Sequence, residues 1–94
     1  EQGKIAALIK PQFEAGREKV GKGGIVRSPD VHKEVIEKVI NSAKDNNLSI
    51  EYLTYSPIKG AKGNVEYLAC FNNTGDQGNI DIDETVRKGN TTTK

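Results

Sequence analysis

The sequence predicts an α/β domain in which two strands run one way and a third runs against them. Three observations predict it. Ile5-Ala6-Ala7-Leu8-Ile9 is an unbroken apolar run, the pattern of a strand covered on both faces. Val31, Val35, Ile36, Val39, Ile40 and Ala43 recur at helical spacing on one face of the next long segment. The nine residues 56–64 carry turn chemistry and no helical pattern. So short a link cannot make a parallel crossover, and the strand after it should run antiparallel.

The first strand ends at Lys10, because Pro11 has no backbone N–H and continues a central strand poorly. Lys10 thus sits at the carboxyl end of a strand, where ligands bind in open α/β sheets. Position alone leaves two readings: a solvated strand end with the ammonium reaching water, or a functional amine held in a crevice. A glycine-rich loop follows, with Arg17, Lys19, Lys22 and Arg27 against Glu18 alone.

The helix has its own signals. Ser28 suits the N-cap, Pro29 the first helical position and Asp30 the positive end of the dipole. Asp45-Asn46-Asn47 reads as its stop, since asparagine tolerates a left-handed C-cap. His32, a lone histidine beside the apolar face, reads as a surface residue without a role. Leu48–Tyr55 is rich in β-formers and predicts the second strand, giving a strand–helix–strand parallel pair. Val65–Phe71 predicts the third. Beyond residue 72 the chain is polar, so 1–72 form the domain and 73–94 a tail, with a short helix over Ile80–Lys88 and a frayed Gly89–Lys94.

Composition sets limits. The chain has 94 residues, enough for one small domain, and a formal net charge of +1, which gives no global field for nucleic acid. Cys70 is the single cysteine, so no intrachain disulfide forms and a reducing cytoplasm is the expected setting. No stretch is long and apolar enough to span a membrane as a helix. The chain contains no methionine, and its one clear amphipathic helix covers only one face of a sheet. A strand like Ile5–Ile9 asks for cover on both, so the rest of a larger domain is expected to pack on the other.

Geometry then joins distant residues. A parallel strand ends, and an antiparallel strand begins, at the same edge of a sheet. Lys10 ends the first strand and Glu66 opens the third, so the two converge on one rim beneath the basic loop. That loop also fits G-x-x-x-x-G-K at Gly16–Lys22, but Gly23 stands where a Ser or Thr should hold magnesium, and the helix starts several residues later. A nucleotide P-loop is excluded, although backbone N–H groups and cations there can still contact phosphates. On composition alone a flexible surface loop remains an equal reading.

Two long segments carry a resemblance. Residues 9–27, Ile-Lys-Pro-Gln-Phe-Glu-Ala-Gly-Arg-Glu-Lys-Val-Gly-Lys-Gly-Gly-Ile-Val-Arg, and Ser56-Pro57-Ile58-Lys59-Gly60 followed by Gly63-Asn64-Val65-Glu66-Tyr67-Leu68 resemble the hemolysin A (TlyA) type of FtsJ-like RNA methyltransferases. The resemblance runs from about Ile5 to Phe71. It implies the C-terminal part of a Rossmann-like methyltransferase fold, transfer of a methyl group from S-adenosylmethionine to a ribose 2′-hydroxyl of ribosomal RNA, and no metal. Lys10 matches the second lysine of the family's Lys-Asp-Lys-Glu tetrad, and Glu66 matches its glutamate. The first lysine, the aspartate, the cofactor-binding glycines and the family's S4-like RNA-binding domain have no counterpart here. The resemblance thus implies partners in ribosomal RNA or the ribosomal subunit and in an N-terminal part of the same protein. By itself the chain is expected to transfer no methyl group and to self-associate through a bare sheet face. Some relatives carry a hemolysin label; nothing here looks pore-forming.

The residues suit that chemistry. A ribose hydroxyl is a weak nucleophile that must be held in line and relieved of its proton. A lysine serves as the base where burial or a neighbouring cation lowers its pKa from about 10.4. Glu66 would orient the lysine or the hydroxyl. Arg17, Lys19, Lys22 and Arg27 would contact RNA phosphates. The alternative is a non-enzymatic RNA- or protein-binding module that keeps the fold.

Overall fold

A computed structural model describes residues 3–91, apart from the side chains of Arg17, Lys22 and Ala61. The element order is β1 (Lys4–Ile9), α1 (Pro11–Glu14), α2 (Pro29–Asp45), β2 (Ser49–Tyr55), β3 (Tyr67–Asn72) and α3 (Ile82–Thr91), with short 3-10 turns in the loops. The sheet order is β1-β3-β2, and β3 pairs antiparallel with both neighbours. The two strands expected to form a parallel pair do run the same way. They are not hydrogen-bonded to each other, because β3 is inserted between them.

Local signals set the bounds of α2. Ser28 Oγ accepts from the Val31 N–H at 3.4 Å, Pro29 occupies the first turn, and Asn47 takes the left-handed conformation (φ 62°) just past the end. Its apolar stripe packs on one face of the sheet. Val35, Ile36 and Ile40 meet Ile9 of β1, Tyr67, Ala69 and Phe71 of β3, and Ile50 and Leu53 of β2 in one core. Strand alternation in β3 places Tyr67, Ala69 and Phe71 inward and Leu68 outward, as expected.

The segment after residue 72 does more than its polarity suggests. α3 continues through Gly89 to Thr91, with Val86 and Gly89 buried against the core. Gly89 is packed so closely that an added Cβ would lie 3.0 Å from Tyr55 Cβ and 3.1 Å from Val65 Cγ1. The frayed end expected from Gly89 onward is therefore helical as far as Thr91. Residues 92–94 lie outside the described residues.

Only one face of the sheet is covered among the described residues. The other carries Ala6, Leu8, Leu68, Cys70 and Tyr52, with Leu8 46%, Leu68 38% and Tyr52 55% exposed. The apolar run in β1 thus has one half of its side chains without a packing partner here. No helix among the described residues is long and apolar enough to cross a membrane.

Candidate active site

Lys10 leaves β1 in an extended conformation (φ −116°, ψ 95°), and Pro11 turns the chain into α1. The Lys10 carbonyl accepts from the N–H groups of Phe13 (2.9 Å) and Glu14 (3.0 Å), which fixes the turn. The Lys10 side chain is half-buried, with its ammonium 5.8 Å from the centre of the Phe13 ring, in cation–π range. Phe13 itself is 73% exposed.

Glu66 lies directly before β3. The last pair of the β1–β3 ladder is Ile9 with Tyr67, so the next step in register sets Lys10 across from Glu66. The end of β1 and the start of β3 thus lie at one edge of the sheet. The two side chains take different partners, however, and no ion pair joins them among the described residues. Glu66 is 5% exposed, and its Oε2 accepts from Gln12 Nε2 at 2.8 Å. Gly60 presses against this carboxylate from the β2–β3 loop: any Cβ at that position would overlap it. The opposite atom of the Gln12 amide, Oε1, is buried with no hydrogen-bond partner among the described residues.

A second lock holds the two loops together. Asn64 is buried; its Oδ1 accepts from the Val26 N–H at 3.0 Å and its Nδ2 donates to the Gly24 carbonyl at 2.9 Å. One side chain therefore pins the end of the β1–α2 loop to the β2–β3 loop beside Lys10 and Glu66. Gly24 takes φ 77° there, a left-handed backbone that glycine adopts without strain.

The four basic residues of the loop do not share one fate. Lys19 Nζ binds both carboxylate oxygens of Glu34 on α2, at 2.7 and 2.8 Å. The exposed Arg27 folds its guanidinium against Gly21. The side chains of Arg17 and Lys22 lie outside the described residues.

His32 corrects the sequence reading. It is fully buried, at 0% exposure, and is the hub of a polar cluster between α2, β3 and α3. Its Nε2 lies 2.9 Å from the Val26 carbonyl, which can only accept, so Nε2 carries the hydrogen. Nδ1 then accepts from the Tyr67 hydroxyl at 2.7 Å, and that oxygen accepts from Asn90 Nδ2 at 3.1 Å. The imidazole and phenol rings meet edge-on at 5.6 Å. Burial pushes the His32 imidazole below its ordinary value, partly offset by the bond to Val26, and pushes the Tyr67 phenol up to about 12. The signal was available: position 32 falls three, four and seven residues before Val35, Ile36 and Val39 on the buried stripe. Gln12 and Asn64 gave no such signal, because their partners lie far away in sequence.

Among the described residues no group of three or more His, Cys, Asp or Glu side chains could hold a metal. The chemistry available at the rim is a lysine amine, a buried carboxylate oriented by an amide, and an exposed aromatic ring.

The site lies at one edge of a three-stranded antiparallel sheet with β3 in its centre. The sequence profile of the FtsJ-like methyltransferases matches residues 1–73, and the chain belongs to that family. It is 50% identical over 64 residues to hemolysin A of Brachyspira hyodysenteriae, covering 68% of this chain and 27% of that protein. It is 38% identical over 63 residues to the 16S/23S rRNA (cytidine-2′-O)-methyltransferase TlyA of Mycobacterium tuberculosis, covering 67% and 24%. A crystal structure of a Lactococcus lactis protein superposes with a TM-score of 0.86 at 47% identity, over 94% of this chain and 43% of that one. The chain thus spans about a quarter of the length of the curated relatives it matches.

Proposed function

We propose that this chain is the C-terminal part of the catalytic domain of an S-adenosylmethionine-dependent ribosomal RNA 2′-O-methyltransferase of the hemolysin A type. The observation that best supports the reading is the β1–β3 register, which brings the end of the strand before Lys10 and the start of the strand after Glu66 to one edge of the sheet. The kinship with TlyA, a methyltransferase acting at cytidine 2′-oxygens by its name, supports the substrate class. The bare sheet face supports a Rossmann-like sheet whose remaining layers come from the rest of the protein.

The described residues fit the acceptor side of such a reaction. Lys10 Nζ, as the free amine, would accept the proton of the 2′-hydroxyl. Glu66, buried and held by Gln12, would orient the lysine or the hydroxyl. S-adenosylmethionine, when bound, would supply a methyl group activated by its sulfonium and would leave as the neutral thioether. The loop with Arg17, Lys19, Lys22 and Arg27 holds RNA phosphates, and the setting is the cytoplasm, where ribosomal RNA is made.

The test is made in the whole enzyme. Lys10→Ala should abolish turnover and leave S-adenosylmethionine affinity nearly intact, because the lysine acts on the hydroxyl and not on the donor. Glu66→Ala should cost less. Undiminished turnover in Lys10→Ala would sink the assignment.

A further inference from the structure

We infer that Gln12 is a positioning residue of this site, acting through Glu66; the inference rests on the functional reading above. Three observations carry it. Gln12 Nε2 donates to Glu66 Oε2 at 2.8 Å, a bond between residues 54 positions apart. Facing a carboxylate, the amide must point its nitrogen inward, so its orientation is fixed by chemistry. Among the described residues its oxygen is thereby left buried without a partner, an arrangement that costs folding free energy. Finally, Gly60 closes the carboxylate from the other side with no room for a Cβ, so Glu66 is clamped between an amide and a backbone.

The sequence order adds a link. Gln12 stands two residues after Lys10, in the first turn of α1, whose start is tied to the Lys10 carbonyl through Phe13 and Glu14. One short turn therefore carries both Lys10 and the amide that holds Glu66. A rigid carboxylate keeps the amine in line with the hydroxyl; a loose one lets it wander, and small errors in such alignment cost large factors in rate.

The experiment is a double-mutant cycle in the whole enzyme with ribosomal RNA as substrate. Gln12→Ala is expected to lower kcat roughly 10- to 100-fold, with KM for RNA and for S-adenosylmethionine within about twofold. Placed on Glu66→Gln, the same change is expected to lower kcat no further, since the group it acts through is already altered. A mainly raised KM, or a loss that multiplies in full on the Glu66→Gln background, would overturn the positioning role. Gln12→Met, which fills the same volume without an amide, guards against misfolding: full kcat in this variant also overturns the role. The cycle separates the two claims. Wild-type kcat in Glu66→Gln would defeat the functional reading itself, whereas a normal Gln12→Ala beside a crippled Glu66→Gln defeats only the inference about Gln12.

Discussion

Because the chain contains a single histidine, its stability near neutral pH should carry a clean signature of one proton. His32 is the one side chain whose ordinary pKa lies in that window. Burial holds the folded imidazole below its ordinary value of 6.5. The sign follows. Above pH 6.5 both states are neutral and the folded state keeps its full advantage. As pH falls through 6.5 the unfolded chain binds a proton that the folded chain refuses, so stability drops until the folded pKa is reached. The slope cannot exceed one proton, or about 1.4 kcal/mol per pH unit. A domain of this size has only about 5 kcal/mol to lose. A proton on Nδ1 would also meet the Tyr67 oxygen, whose own hydrogen would then have no acceptor in the cluster. Groups facing the ring are the Val26 carbonyl, Tyr67 and Asn90, none of which carries a charge at this pH. The assay is urea unfolding by circular dichroism from pH 7.5 to 5.5, for the wild type and for His32→Gln. Glutamine can donate to Val26 and accept from Tyr67 without titrating, so its curve should be nearly flat. Equal slopes for the two proteins would refute the reasoning.

Three further expectations follow from the same geometry. The Tyr67 phenol, raised to about 12 by burial, favours folding below its ordinary pKa and loses that contribution as pH rises towards 12, so alkaline difference absorbance should show one tyrosine ionising late and together with unfolding. Asn64→Ala strands the Val26 N–H and the Gly24 carbonyl, which should cost roughly 2–3 kcal/mol in denaturant unfolding and speed hydrogen exchange at the Val26 amide. In the whole enzyme, Lys19→Ala with Lys22→Ala should flatten the salt dependence of RNA binding by roughly one unit per lost phosphate contact, and an unchanged slope would remove the loop from the RNA interface.

Much of the architecture was legible from periodicity and punctuation. The apolar run before Lys10-Pro11, the capped helix from Ser28 and the short loop of residues 56–64 located β1, α2 and the reversed β3. They also brought Lys10 and Glu66 to one end. What escaped was polar and long-range. Val35, Ile36 and Val39 mark the stripe on which His32 lies, but a polar residue on that stripe is read by habit as surface. Its burial depends on Tyr67 and Asn90, which no local pattern announces. Gln12 looks like an ordinary helix residue until Glu66 arrives from 54 positions away. Gly89 reads as a helix breaker; in the fold it lets α3 approach Tyr55 and Val65. The continuous run of β1 asked for two covered faces, and the described residues supply one.

The central place of β3 also governs the order in which the chain can assemble. β1 and β2 share no ladder, so among the described residues neither has a sheet partner until β3 leaves the ribosome. The first residues of β1 then pair with the last of β3, Lys4 with Asn72, closing a loop that spans most of the chain. Until that moment the helix α2 can form locally but has no pleated surface on which to rest. Such long-range closure is slow compared with helix formation. Nascent chains halted short of Tyr67 should therefore behave as a helix with two loose apolar ribbons, attractive to holding chaperones and to one another, and should acquire protease resistance in a single late step as β3 slides into place.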